Sequence, residues 1–168
     1  MARLGRQLQL RLTNEAGTTP LVVGAVSIGG ADAGLAVRPG TLVKVTFGSH
    51  PGIAIPTSAP VVSDPITTEF GSAADLIVSV YLPEPTLQAQ GQSSIYVDAP
   101  RPAATVVALG DSITDAAMST SQEVRGWPGQ LALRLAKAAG PVRYGVSNQG
   151  IGGNRLLLDG IGANALAR

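Results

Sequence analysis

The stretch Val106-Val107-Ala108-Leu109-Gly110-Asp111-Ser112-Ile113-Thr114 constrains the fold of this chain more than any other. A short run of small apolar and β-branched residues reads as a buried strand. The run stops abruptly at Gly110-Asp111-Ser112, which delivers a hydroxyl to the strand tip. In open α/β sheets ligands bind just beyond the carboxyl ends of strands, so Ser112 is a candidate nucleophile. Asp111 reads as a turn former acting through backbone hydrogen bonds, not as a general acid. Asp115 reads as a cap for a helix that follows.

After this strand the grammar is strand, loop, helix, strand. Trp127-Pro128 opens a helix, with the proline near the first helical position. The helix continues through Gln130 to Ala139, with Leu131, Leu135 and Ala138 on one face, and Gly140-Pro141 stops it. Val142 to Ser147 reads as a second strand, and Asn148-Gln149-Gly150-Ile151-Gly152-Gly153-Asn154 as a glycine-rich loop. Ala163 to Arg168 reads as the start of another helix. A strand-helix-strand unit makes two parallel neighbours. Parallel strands need both faces covered, which two strands and one helix cannot do. The C-terminal part therefore reads as the opening of a larger α/β domain.

The first hundred residues follow another pattern. Leu8, Leu10 and Leu12 alternate with Gln7, Gln9 and Arg11, as in a half-buried strand from Gln7 to Asn14. Strand-like runs follow at Val22–Ile28, Leu42–Phe47, Gly52–Ile55, Ile66–Phe70, Leu76–Leu82 and Ser94–Val97. Gly29-Gly30, Pro39-Gly40, Pro51-Gly52 and Pro83-Glu84-Pro85 punctuate them. Many short strands at this spacing predict an antiparallel β-sandwich or barrel, with a β-sandwich/jelly-roll-like domain as the expected class. Ala99-Pro100-Arg101-Pro102 reads as a linker, because its prolines resist both helix and central strand. The expected domains are 1–100, a β-sandwich-like accessory domain, and 101–168.

Composition narrows the function classes. With 45% apolar and 14% charged residues in 168, the chain can bury a real core. Lys+Arg of 12 against Asp+Glu of 11 gives a net charge of +1, which offers no basic field for nucleic acid. Aromatics at 4% leave little for base stacking. The chain has no cysteine, so disulfides, thiolate catalysis and cysteine-bound zinc are excluded. Met1 to Arg6 carries charge with no apolar run after it and does not read as a secretory signal. No stretch approaches the roughly 18 apolar residues of a membrane span.

Gly110-Asp111-Ser112-Ile113, followed by Asn148 to Asn154, resembles the first two sequence blocks of the SGNH, or GDSL, hydrolases. Trp127-Pro128 between them resembles the same family. The β-rich region, with Arg11-Leu12-Thr13-Asn14-Glu15-Ala16-Gly17 and Val62-Ser63-Asp64-Pro65, is similar to the domain preceding the hydrolase in some bacterial members. The resemblance covers most of the chain. It implies a carboxylic ester hydrolase of three-layer α/β/α, flavodoxin-like fold that works through an acyl-serine intermediate. Ser112 matches the nucleophile, and the backbone N–H groups of Ser112 and Gly153 match two oxyanion donors. Glycine suits position 153 because a side chain would block close approach of the oxyanion. Loss of one such donor costs about 3 kcal/mol in comparable hydrolases. Family breadth implies short acyl or acetyl esters, including those of carbohydrates. Neither metal nor organic cofactor is implied.

The family's late Asp-x-x-His block does not occur here. Asn154 belongs to the second block and does not match the third donor. The single histidine, His50, sits in the β region within Phe47-Gly48-Ser49-His50-Pro51 and reads as a turn residue. The expectation is that a second polypeptide carries the remaining strands, the third donor and the catalytic Asp and His, and that this chain is an esterase only when so completed.

Other motifs weigh less. The dinucleotide fingerprint fails because Arg155 occupies its last glycine position, and no P-loop occurs. Asp32, Asp64 and Asp75 are too scattered for a calcium loop. Asn148 reads as tying down a strand end, Trp127 as packing, and Arg125 and Arg155 as solvated cations. Tyr81 and Tyr96 are usable for sugar stacking, although strand tyrosines more often pack. The rival reading is a non-catalytic carbohydrate- or partner-binding β module with a vestigial hydrolase segment.

Overall fold

The computed structural model describes residues 7–15, 17–33, 36–68, 70, 74–85, 94–99, 102–116, 126–138 and 140–159. Residues 163–168, expected to begin a helix, lie outside these, as do Arg125, Ala139 and Pro100-Arg101. The chain divides into two compact units, Met1–Ala99 and Pro100–Arg168.

The first unit is antiparallel β. Its strands are β1 (Gln7–Thr13), β2 (Leu21–Val23), β3 (Ala25–Gly30), β4 (Val43–Val45), β5 (Ile53–Ile55), β6 (Pro60–Val62), β7 (Ile66–Thr67), β8 (Leu76–Tyr81) and β9 (Ser94–Val97). The alternation in β1 turns Leu8, Leu10 and Leu12 inward, as its period of two requires. One edge of β1 pairs with β9; the other pairs with β7 near its start and β6 near its end. Ser63, 2% exposed, fills the gap between those two short strands. Its N–H donates to the Leu10 carbonyl at 2.9 Å, and its Oγ accepts the Leu10 N–H at 3.0 Å.

Two further antiparallel groups, β2 with β5 and β4-β3-β8, complete the unit. All three groups send side chains into one core, where Leu10, Val23, Ile28, Val45 and Ile55 are fully buried. Burial of each large aliphatic side chain contributes about 1.5–3 kcal/mol. Asn14, only 4% exposed, closes the turn after β1. Its Nδ2 lies 2.9 Å from the Thr19 carbonyl and 3.1 Å from that of Ile55.

The second unit holds β10 (Ala103–Gly110), α1 (Ser112–Asp115), α2 (Gly126–Lys137) and β11 (Arg143–Gly150). β10 and β11 pair in parallel, from Ala103 opposite Arg143 to Gly110 opposite Gly150. The helices lie on the face that carries Ala108 and Gly110, and α2 packs on β11. Ala108 and Pro128 are buried there. On the opposite face Val107 and Leu109 are 62% and 53% exposed.

The expected fold class is overturned. A three-layer α/β/α, flavodoxin-like arrangement needs a parallel sheet with helices on both faces. The described residues carry eleven strands and two helices, one of the helices only four residues long. The protein is predominantly β. The Gly-Asp-Ser strand tip and the glycine turn specify a local strand-turn-helix-strand unit, and they do not supply a second helical layer over Val107 and Leu109. In the first unit the strands form sheets of four, two and three strands around one core. Gly24 follows β2 and splits the single strand expected over Val22–Ile28; its N–H donates to the Tyr81 carbonyl at 2.9 Å. Among the described residues no helix is long and apolar enough to cross a membrane.

Candidate functional site

The carboxyl ends of β10 and β11 meet in register, and α1 lies directly across them. This crossing explains the glycines at both tips. A Cβ at Gly110 would collide with Thr114 Oγ1, and one at Gly150 with the Asp115 backbone nitrogen. Only glycine lets a helix approach two strand ends so closely.

Asp111 starts α1 as its N-cap, with φ −100° and ψ −153°. Its carboxylate accepts the Ile113 N–H at 3.0 Å, and its carbonyl accepts the Asp115 N–H at 2.9 Å. The carboxylate is thus committed to the turn. Ser112 is the first helical residue and is half-buried. The N–H groups of a helix's first turn have no intrahelical acceptor, so that of Ser112 is available for a ligand oxygen. Asp115 is the last residue of α1 and is exposed, and Ala116 caps that helix; residues 117–125 lie outside the described residues.

Thr114, 7% exposed, is the pivot of the site. Its Oγ1 accepts the Trp127 Nε1–H at 3.3 Å, and its carbonyl accepts the Asn148 Nδ2–H at 2.9 Å. Asn148 Oδ1 in turn accepts the Gly150 N–H at 2.9 Å. Trp127 was expected as packing only; it is 47% exposed and works through its indole N–H. Thr114 escapes sequence reading because a threonine two residues after a serine has no distinctive pattern.

The turn after β11 is fastened to the end of β10. The Gly110 carbonyl accepts the Ile151 N–H at 3.1 Å and the Asn154 Nδ2–H at 3.3 Å. Within the turn the Asn154 N–H donates to the Ile151 carbonyl at 3.0 Å. Gly153 adopts φ +74°, a left-handed conformation that glycine takes without strain, and it is exposed. The fold therefore brings the Ser112 turn and the Gly153 turn to the same pair of strand ends. His50 lies in an exposed turn of the first unit. Among the described residues no three His, Cys, Asp or Glu side chains gather as a metal site.

Comparison with protein-family models finds no match to this chain, and comparison with curated proteins finds none either.

Proposed function

We propose that the second unit carries the nucleophile end of a serine esterase. One observation supports the reading above others: Ser112 is half-buried at a strand tip, beside a turn whose Gly153 is held there through the Gly110 carbonyl. Ser112 Oγ attacks the ester carbonyl while a base takes its proton. The N–H groups of Ser112 and Gly153 donate to the oxyanion that develops. The alcohol leaves with the proton, and water then releases the acid from the acyl-serine. A serine needs an adjacent base to act near neutral pH. We assign that base to a histidine outside residues 1–168. Short acyl or acetyl esters are the substrate class.

The test is p-nitrophenyl acetate turnover by the protein completed with the segment that carries this histidine, alongside Ser112→Ala and His50→Ala. Ser112→Ala should lower turnover by at least about 1,000-fold, and His50→Ala should leave it unchanged. Turnover indifferent to Ser112→Ala removes the esterase reading. Turnover lost in His50→Ala removes the assignment of the base to a histidine outside residues 1–168.

A further inference from the structure

The outward face of β1 and β9 holds a concavity of about 280 Å³ in the first unit, remote in sequence from Ser112. With Leu8 and Leu10 turned into the core, Gln7 and Gln9 of β1 point outward. The antiparallel register sets Tyr96 opposite Gln9, and so on the same face. Asp98 follows two residues later, anchored by its N–H to the Gln7 carbonyl at 3.0 Å. Pro65 closes one side.

The groups that meet here have complementary chemistry. Tyr96 is 50% exposed and offers an aromatic ring. The other strand tyrosine differs: Tyr81 is 62% exposed, but its ring lies against Gly24, where an added Cβ would meet Cδ1 at 2.9 Å. Gln9 is oriented by its Nε2–H, which donates to the Ser63 carbonyl at 2.8 Å and leaves Oε1 to accept from a ligand. Gln7 adds a second amide, and Asp98 a carboxylate. An aromatic face takes the C–H side of a pyranose ring, while closely spaced amide and carboxylate groups match neighbouring hydroxyls. The lining residues include no lysine or arginine, so a phosphate or nucleic-acid ligand would meet Asp98 without a compensating cation. The polar half of the lining disfavours a lipid chain. A concavity just below the roughly 300 Å³ at which small-molecule clefts begin admits one ring.

We propose that this face is a subsite for one ring of a neutral, hydroxyl-rich saccharide, with Tyr96 as platform and Gln7, Gln9 and Asp98 as hydroxyl partners. It stands independently of the esterase reading. The test is affinity electrophoresis of the full chain through gels containing soluble neutral polysaccharides: a β-glucan, a galactomannan, a xylan and a galactan. At least one should retard the protein. Tyr96→Ala should weaken that binding about tenfold. Tyr96→Phe should keep it, and Tyr81→Ala and Ser112→Ala should leave it unchanged. Should Tyr96→Ala fail to fold, the exposed pair Gln7→Ala and Asp98→Ala must weaken binding instead. Absence of retardation in every gel, retardation indifferent to these substitutions, or recognition of extended peptides in place of polysaccharide at this face overturns the proposal.

Discussion

Asn148 and Thr114, on different elements and 34 residues apart, are joined by one 2.9 Å hydrogen bond from side-chain amide to main-chain carbonyl. The same amide holds Gly150 through its oxygen, at 2.9 Å. One side chain thus fixes the helix that begins at Ser112 and the strand end that leads into the Gly153 turn. Asn148→Ala is expected to lower stability by about 1–2 kcal/mol, read from urea midpoints. Asn148→Asp should cost at least as much, because a carboxylate would face the Thr114 carbonyl. On the esterase reading both substitutions should lower kcat more than they raise KM, since they loosen the donors and not the ester's resting place.

Gly110 and Gly150 are register partners under the same helical turn, yet their substitutions should differ. An alanine methyl at Gly150 meets backbone atoms of Thr114 and Asp115, which move only if α1 moves. At Gly110 it meets the Thr114 side chain, which can give way by releasing Trp127 Nε1. Overpacking of this kind costs about 1–3 kcal/mol. We expect Gly150→Ala near the upper end and Gly110→Ala near the lower. Thermal melts of the two variants against the parent chain decide the order, and equal losses would mean that α1 is not pinned as described.

What was legible in the residues and what was not divides along a physical line. The Leu8, Leu10, Leu12 alternation announces β1, because side-chain period is a local property. Pro128 announces the start of α2 for the same reason, within two residues of its first residue, Gly126. β6 is not announced at all: Pro60-Val61-Val62 is three residues long and becomes a strand only by pairing with β1. The break at Gly24 depends on a carbonyl from β8, and the three-sheet division on many such distant pairings. The α/β/α expectation failed at this level, since motif residues at one strand tip cannot count layers. At the site, Ser112, Gly153 and Asn154 stand out as motif residues, whereas the contacts of Thr114 and Asn154 span 13 and 44 residues and no local pattern encodes them.

Ser63 supplies a third prediction. Between β6 and β7 the β1 ladder would lose a partner, and a buried N–H without one is costly. Ser63 Oγ accepts the Leu10 N–H at 3.0 Å and donates to the Asp64 carbonyl at 2.8 Å. Ser63→Ala strips both bonds without changing the strand register. The expected cost is about 1–3 kcal/mol, the penalty of leaving a buried donor unsatisfied. Amide hydrogen exchange gives a local readout: Leu10 should exchange faster in the variant by a larger factor than Leu12. Uniform acceleration of both amides would assign the loss to global stability alone.

Asp64 makes the first unit sensitive to acid. Its carboxylate accepts from Thr46 Oγ1 at 2.6 Å, from the Ser49 N–H at 2.7 Å and from the Gly48 N–H at 2.9 Å, and so holds the turn that follows β4. These bonds, the Thr46 hydroxyl foremost, hold its pKa below the ordinary carboxylate value, and the nearby charge of His50 adds to them against a smaller opposing effect of desolvation. A group whose folded pKa is depressed stabilises the fold above its unfolded pKa, about 3.9 for aspartate. That stabilisation drains away as pH falls through the folded value. The urea midpoint of the parent chain should therefore exceed that of Asp64→Asn by a constant margin from about pH 5 to 7, and the margin should close below about pH 4. A margin that persists unchanged into acid would mean that the turn is held by packing around Phe47 and not by the carboxylate.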